Sequence, residues 1–487
     1  MDKSIQQFLE KGTDNLNKVF LEYDDDPTKI AEMVYGVTKE VVSLGCAIIA
    51  ENWEKFDTYL HERPELRQGW VIERKNDTRS VITSLGEVTF QRTYFKNKET
   101  GEYAYLVDRL LGLDSHDRLT EDAKTRVLEE AVCSSYQKAG MNASISGPGI
   151  TKEAVMDLLH PLEFPKTEVA GTKIRAEAVY IDADEDHVSL QYLNTKGDIP
   201  GSRHNTYMPK MVYVYDNVEA EGDRHILQNV RYFGGGYDGP EGTEELWQEV
   251  YDYIESRYDP GVLKTIYVNG DGASWIQAGS EKHAKAKFVL DKFHMCEYIV
   301  GATSHLKDSK EDARSEIYRC IYGKHKKELG AVFERIIDIT EKETKVKAIE
   351  KARDYILGNW KGVTAMVDGR KKDKRLGCRA EGHISHIYAD RMSSRPLGWC
   401  RTGADKMARL RIHKWNKESM LELIRFQKVE LPVAAGAEEL RLSFREVLVS
   451  EHQSYRNPNH VYDTKIYSVP YEQVKKIAAL KNHIYGL

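Results

Sequence analysis

Three short segments of this chain carry acids in the pattern that phosphate chemistry uses. Asp182-Ala183-Asp184-Glu185-Asp186 sets four acids in five positions at the end of an apolar run. Asn269-Gly270-Asp271-Gly272-Ala273 sets one acid between two glycines, again after an apolar run, and such glycines let a ligand or a backbone come close. Arg379-Ala380-Glu381-Gly382-His383-Ile384-Ser385-His386 supplies a third acid near the start of a helical pattern. Acids from two strands and one helix can converge on divalent cations. Mg²⁺ takes carboxylate oxygens and leaves positions for phosphate and water. Two such ions about 3.5–4 Å apart stabilise both the attacking and the leaving oxygen of an in-line displacement at phosphorus. Each segment also has a plainer reading alone: the acidic run as a solvated turn, the Gly-flanked Asp as a tight turn. Side chains alternate along a strand, so Asp182 and Asp184 share a face, and either can be the first acid.

The elements that must position these acids follow from periodicity. Residues 161–171 read as a linker, and 176–181, 188–192, 211–215 and 226–232 are short strand-like runs at hairpin spacing. An amphipathic helix over 242–257, a buried-looking strand over 265–271, a helix and a strand over 286–290 come next. A meander that passes into alternating strands and helices predicts a mixed α/β sheet, within an α+β chain. The chain divides on this reading into an N-terminal helical region (1–62) and a small antiparallel β region (63–115). A helical region that permits a helix-turn-helix follows (116–165). The mixed α/β domain comes in two pieces (170–300 and 375–415) around a helical insertion (300–374), and 416–487 forms a C-terminal region. In the first region Asp26-Pro27 is a helix start signal. In the third, a helix is predicted from Thr120 to about Lys138, ended by Gly140, and another from Thr151 or Lys152 to Leu159.

With these motifs in place the chain resembles a known family. Asp184 is followed four residues on by Val188, and the Asn-Gly-Asp-Gly-Ala segment by Phe293-His294. Glu381-Gly382-His383 and Met392-Ser393-Ser394-Arg395-Pro396 are the most specific segments, and Leu85-Gly86-Glu87-Val88 and Arg118-Leu119-Thr120 extend the likeness toward the N-terminus. Over most of its length the chain resembles the ISLre type of prokaryotic insertion-sequence transposase, long catalogued as an uncharacterised protein family and similar to the Mutator-like DDE transposases. The resemblance implies an RNase H-like catalytic domain with a helical insertion between the second Asp and the Glu. It implies a DDE triad at Asp184, Asp271 and Glu381 that binds two Mg²⁺ (or Mn²⁺), with Asp182 the alternative first ligand. It also implies DNA transposition and recombination: metal-dependent cleavage of transposon ends and transfer of the 3′-hydroxyl strand into target DNA. The implied partners are double-stranded DNA, as terminal inverted repeats and target, and further copies of the chain, a homodimer or higher, in the synaptic complex. One departure stands out. Where Mutator-like proteins often carry Cys-x-x-His, this chain has Asp291-Lys292-Phe293-His294.

Composition sets the outer limits. The chain has 487 residues, 41% of them hydrophobic and 30% charged, with a formal net charge of −6. The acidic total argues against a DNA partner until charge is read by segment. Residues 370–414 hold 13 Lys and Arg against four Asp and Glu, a net +9, which leaves −15 elsewhere. A basic band around Glu381 suits phosphate, and the expected DNA contacts are Arg379, Arg391, Arg395, Lys371 and Lys372, with Arg92 on the small sheet. Six irregularly spaced cysteines make no disulfide framework and suit a reducing cytosol. No signal peptide is visible and no run approaches the roughly 18 apolar residues of a membrane helix, so the expectation is a cytoplasmic, nucleoid-associated protein without a membrane partner. Cys378, His383, His386 and Cys400 fit no common zinc spacing. Gly234-Gly235-Gly236 lacks the Lys-Ser/Thr of a P-loop. The competing readings are a catalytically silent, transposase-derived DNA-binding protein and a carboxylate-pair glycosidase using Asp184 and Glu381.

Overall fold

The computed structural model describes residues 3–166, 171–191, 206–221, 224–373, 376–394 and 398–429. The described chain divides at Thr120 into two compact units.

In the first unit a 33-residue helix, Ile30–Glu62, lies along a three-stranded antiparallel sheet of β1 (Trp70–Ile82), β2 (Glu87–Asn97) and β3 (Tyr103–Ala104). The helix begins later than Asp26-Pro27 suggests. Asp26 instead closes a turn, its carboxylate accepting from the Thr28 N–H at 3.1 Å and the Thr28 hydroxyl at 2.6 Å. The helix is fastened to the sheet by Leu60 in the core, Trp53 edge-on to Phe90, and buried Asp57, which accepts from the Thr93 N–H at 2.9 Å and hydroxyl at 2.6 Å. An 18-residue window within the helix averages a hydropathy of 1.5, long and apolar enough by composition alone to cross a membrane.

The second unit is built on a five-stranded sheet. Its strands are β4 (Ala178–Glu185), β7 (Lys210–Tyr215), β10 (Arg231–Gly235), β11 (Thr265–Gly270) and β12 (Ala286–Leu290). Two short pairs stand apart from it: β5 (Val188–Ser189) with β6 (Thr206–Tyr207), and β8 (Asn217–Glu221) with β9 (Arg224–Gln228). Across the main sheet the order is β10-β7-β4-β11-β12. The β4–β7 and β7–β10 pairs are antiparallel, and β4–β11 and β11–β12 are parallel. This is the mixed sheet expected from a meander followed by strand–helix alternation. One strand of the meander is displaced. Residues 226–232 do not form a single strand, because Asn229 turns the chain with φ 53° and donates its side-chain amide to Asp216, so the sheet strand starts at Arg231. Asn tolerates this left-handed conformation better than most residues.

Both sheet faces are covered, and alternation sorts the side chains. Val179, Ile181, Ala183, Val212 and Val214 face one core with Trp247, Val250 and Ile254 of the Gly239–Arg257 helix. Tyr180, Met211, Tyr213 and Tyr215 face the other, with the C-terminal helices and the insertion. Each Val, Ile or Met among them contributes about 1.5–3 kcal/mol when fully buried. The insertion consists of the helices Lys310–Gly323, Lys326–Asp338, Glu343–Gly358 and Trp360–Lys372.

The helix predicted from Thr120 to Lys138 is two helices, Glu121–Ala131 and Tyr136–Met141. The break falls at Ser134-Ser135. The Ser135 hydroxyl accepts from the Lys138 N–H at 3.2 Å and starts the second helix, the competition with helix continuation that serine commonly offers. Lys152–Leu159 follows, N-capped by Thr151.

Candidate active site

The parallel β4–β11 register aligns Thr265 with Ala178 and Asn269 with Asp182. Continued two residues, the same register sets Asp271 beside Asp184, at the edge where both strands end. Adjacent strands lie about 4.8 Å apart. Asp271 stands just past β11, and its carboxylate accepts from the Ala273 N–H at 2.9 Å, ahead of the Ser274–Glu281 helix. The turn is held from the insertion side. Tyr355 donates its hydroxyl to the Asp271 carbonyl at 2.5 Å, and Gln277 joins the Gly272 carbonyl (2.7 Å) to Asn359 (2.9 Å). Gly272 has φ 96°, and a Cβ there would meet the Asn359 side chain at 2.7 Å. The turn therefore requires glycine on two counts.

Glu381 comes from the opposite direction in sequence. It sits in the first turn of the short helix Ala380–Ile384, which continues through a π-helical stretch, Ser385–Ala389, to Asp390–Met392. Its side chain is exposed. Next to it His383 stacks on Tyr213 at 4.4 Å and meets the Tyr232 hydroxyl at 2.9 Å, and burial pulls its pKa down to about 4.

Electrostatics tie the three acids together. The Asp184 carboxyl is pushed up to about 7, first by burial and then by the charges of Asp271 and Glu381, with His294 pulling the other way. His294 is raised to about 9. Its Nδ1 is 2.8 Å from the Asp291 carboxylate, and the charges of Asp184 and Asp271 add to the effect. Asp291 also caps the Lys292–Thr303 helix that carries His294. The Asp that replaces the expected Cys thus holds the histidine.

Asp182 differs from Asp184. It is fully buried, and four protein donors saturate its oxygens: the Tyr213 hydroxyl (2.7 Å), the Arg379 backbone N–H (2.9 Å), the Asn269 amide (2.7 Å) and the Tyr215 hydroxyl (3.3 Å). Burial pushes its carboxyl up to about 6.

The donor set at the open edge is all carboxylate, the hard oxygen chemistry that suits Mg²⁺ or Mn²⁺. Two like charges pressing on a partly buried Asp184 are what a divalent cation relieves. Among the described residues, no three His, Cys, Asp or Glu side chains close around a single ion in this conformation.

The basic residues are placed less simply. Arg391 is buried. Its Nε donates to the Ala131 carbonyl at 3.1 Å and its guanidinium lies 4.8 Å from the Trp399 ring centre, so it is spent inside the fold and does not face phosphate. Arg411, also counted in the basic band, is buried and bonded to the Ile387, Val132 and His386 carbonyls. Arg92 is paired with Asp108, which also binds Arg79, and lies 3.5 Å from the Tyr105 ring centre. Arg379 is half-buried, its guanidinium on the Gly377 carbonyl at 2.9 Å and the Tyr215 hydroxyl at 3.3 Å. Lys371 is exposed at the end of the Trp360–Lys372 helix, and the Lys372 side chain and Arg395 lie outside the described residues. Sequence reading missed the parts played by Asn269, Tyr213, Tyr355 and Asp291; Asn269, inside the Asn-Gly-Asp-Gly segment, and Asp291, standing where the Cys was expected, left a signal.

Comparison with known proteins gives a family and no activity. The profile of UPF0236, described as an uncharacterised protein family, matches residues 24–427. Three proteins of Caldanaerobacter subterraneus subsp. tengcongensis, all named as UPF0236 proteins, are 34% identical over 412 residues. Those matches span 84% of this chain and 83–84% of theirs. One of these names joins eleven locus designations and another joins four. The Drosophila P element transposase strand transfer complex aligns over 70% of this chain and 87% of its own, at 10% identity and a TM-score of 0.23, too loose a likeness to carry an argument. The chain belongs to the UPF0236 family.

Proposed function

We propose that this UPF0236 protein is a metal-dependent DNA transposase of a prokaryotic insertion sequence, with an RNase H-like catalytic domain and Asp184, Asp271 and Glu381 as its acidic triad. The observation that carries this reading is that strand register sets Asp271 beside Asp184 and that the charges of Asp271 and Glu381 both act on the Asp184 carboxyl. The three acids come from β4, the turn after β11 and a helix beyond the insertion. The strand order supports it as well. In order of appearance in the chain the main-sheet strands run 3-2-1-4-5 with the second antiparallel, the arrangement expected of an RNase H-like sheet. The names that join many loci agree with a sequence that copies itself within a genome.

Asp184, Asp271 and Glu381 would hold Mg²⁺ or Mn²⁺ as two ions. When bound, such ions supply Lewis-acid activation of the attacking oxygen and neutralise charge building on the phosphate. The chain's own contribution is positioning. Two carboxylates are fixed by strand register and a glycine turn, and the third enters on the first turn of a helix. His294, held protonated by Asp291, offsets part of the negative charge and offers a donor to a phosphate oxygen. Water attacks the phosphodiester at the transposon end and frees a 3′-hydroxyl, which then attacks target DNA in the same site. No covalent protein intermediate is required.

The test is strand cleavage and strand transfer on DNA bearing the element's ends. With Mg²⁺ the wild type should give joined products. Asp271→Ala and Glu381→Ala should each lose about 10²–10³-fold in rate or more, the loss typical when charge stabilisation of a transition state is removed. Wild-type activity in both variants sinks the assignment. DNA binding with no cleavage by any form supports the silent DNA-binding protein instead.

A further inference from the structure

The acidic run at the end of β4 does three things at alternate positions. Asp184 stands beside Asp271 where the strands end, as the β4–β11 register sets it. Asp186, two residues on, is buried and accepts the Ser393 hydroxyl on both oxygens, at 3.0 and 2.8 Å. Asp182, two residues earlier, accepts the Arg379 N–H at 2.9 Å. Ser393 and Arg379 bracket the helical segment that carries Glu381, so the run grips that segment at both ends.

The Asp182 knot has a regular relation to the proposed centre. Its carboxylate joins β4 to Asn269 of β11 and to Arg379, 197 residues away in sequence. Each of these is two residues before one acid: Asp182 before Asp184, Asn269 before Asp271, Arg379 before Glu381. The knot is therefore one layer beneath the three acids, on the three segments that deliver them. All four of its partners donate, which calls for an acceptor-only side chain. Tyr213 and Tyr215 of β7 complete it from the other side.

We infer that Asp182 is the positioning residue of the centre: a buried carboxylate that binds no metal and sets the spacing of the three acids by fastening the Glu381 segment to β4 and β11. The inference rests on the proposed metal-dependent function for its kinetic part only, since the fastening can be measured without metal.

The experiment compares the full-length wild type with Asp182→Ala, Asp182→Asn and Tyr213→Phe. Hydrogen exchange of the peptide over 376–384 should quicken at least tenfold in Asp182→Ala. Asp182→Asn, which keeps one oxygen for Arg379, and Tyr213→Phe, which removes one donor, should quicken it by roughly threefold. In DNA cleavage the Mn²⁺ concentration for half-maximal rate should rise about 10–100-fold in Asp182→Ala, as for other residues that orient metal ligands, and Asp182→Asn should recover most of it. The KM for DNA should stay within twofold while kcat falls. Unchanged exchange over 376–384 in the variants that fold overturns the inference, and Asp182→Asn with Tyr213→Phe suffices if the alanine variant does not fold. Faster exchange with no metal-dependent cleavage in the wild type keeps the clamp and removes the transposase reading. Direct Mn²⁺ ligation by Asp182, seen as a loss of Mn²⁺ binding in Asp182→Asn equal to that in Asp271→Asn, overturns it as well.

Discussion

Asp184 and Asp182 are both held above the ordinary carboxylate value of 3.8, at about 7 and about 6, with burial the main cause in each. Raised folded values mean that the stability these groups contribute is present below about pH 4 and is lost as pH rises through about 6 and 7. His294 adds to the same trend, since the stability of its pair with Asp291 is lost as pH rises through about 9. The metal-free protein should therefore melt lower at pH 8 than at pH 5. Asp184→Asn should raise stability at pH 8 by on the order of 2–4 kcal/mol, and added Mg²⁺ should stabilise the wild type more than this variant. Thermal melts at the two pH values, with and without Mg²⁺, check this, and a variant less stable than wild type at pH 8 contradicts it. At this scale Asp271 and Glu381 stand out in the sequence as candidates, one from its flanking glycines and the other from its motif. The preference for Asp184 over Asp182 rests on the resemblance alone, through the spacing to Val188. Strand alternation gives both the same face, and what separates them is Arg379, whose approach depends on the folded chain.

At the scale of elements, the helical insertion helps to hold the turn that carries Asp271. The end of its Glu343–Gly358 helix supplies Tyr355 and the cap residue Asn359, which fix the Asp271 turn. Tyr355→Phe should cost about 1 kcal/mol in stability, the ordinary value of one hydrogen bond, while lowering cleavage more than that loss alone explains. Gly272→Ala should cost about 1–3 kcal/mol, from the strained φ and the contact with Asn359. Denaturant melts beside single-turnover rates measure both; equal loss of activity at distant insertion positions would contradict the specific role of Tyr355. The sequence showed an all-helical insertion and the strand–helix alternation, because those patterns are local. It did not show that Ser135 would restart a helix or that Asn229 would break a strand. At both positions a side chain competes for backbone groups, and the outcome depends on what surrounds it.

At the scale of the whole molecule, the net charge of −6 and the +9 band of residues 370–414 do not translate directly into a DNA surface. Arg391 and Arg411 face inward and satisfy backbone carbonyls, while Arg401 pairs with Asp238. Sequence-level charge counts cannot see this, because burial divides a basic band between structure and surface. Arg391→Ala should therefore lower stability by about 2–3 kcal/mol, through lost hydrogen bonding and ring contact. It should leave the salt dependence of DNA binding unchanged, whereas a phosphate contact would reduce that slope by about one. Melts together with binding titrations over a range of salt decide between the two. The central claim is that carboxylates from three separate segments form one divalent-cation centre. Anomalous diffraction from crystals soaked in Mn²⁺ tests it most directly. The account predicts manganese peaks ligated by Asp184, Asp271 and Glu381, with Asp182 still bonded to the Arg379 N–H beneath them; manganese bound elsewhere, or held by Asp182 in place of Asp184, would contradict it.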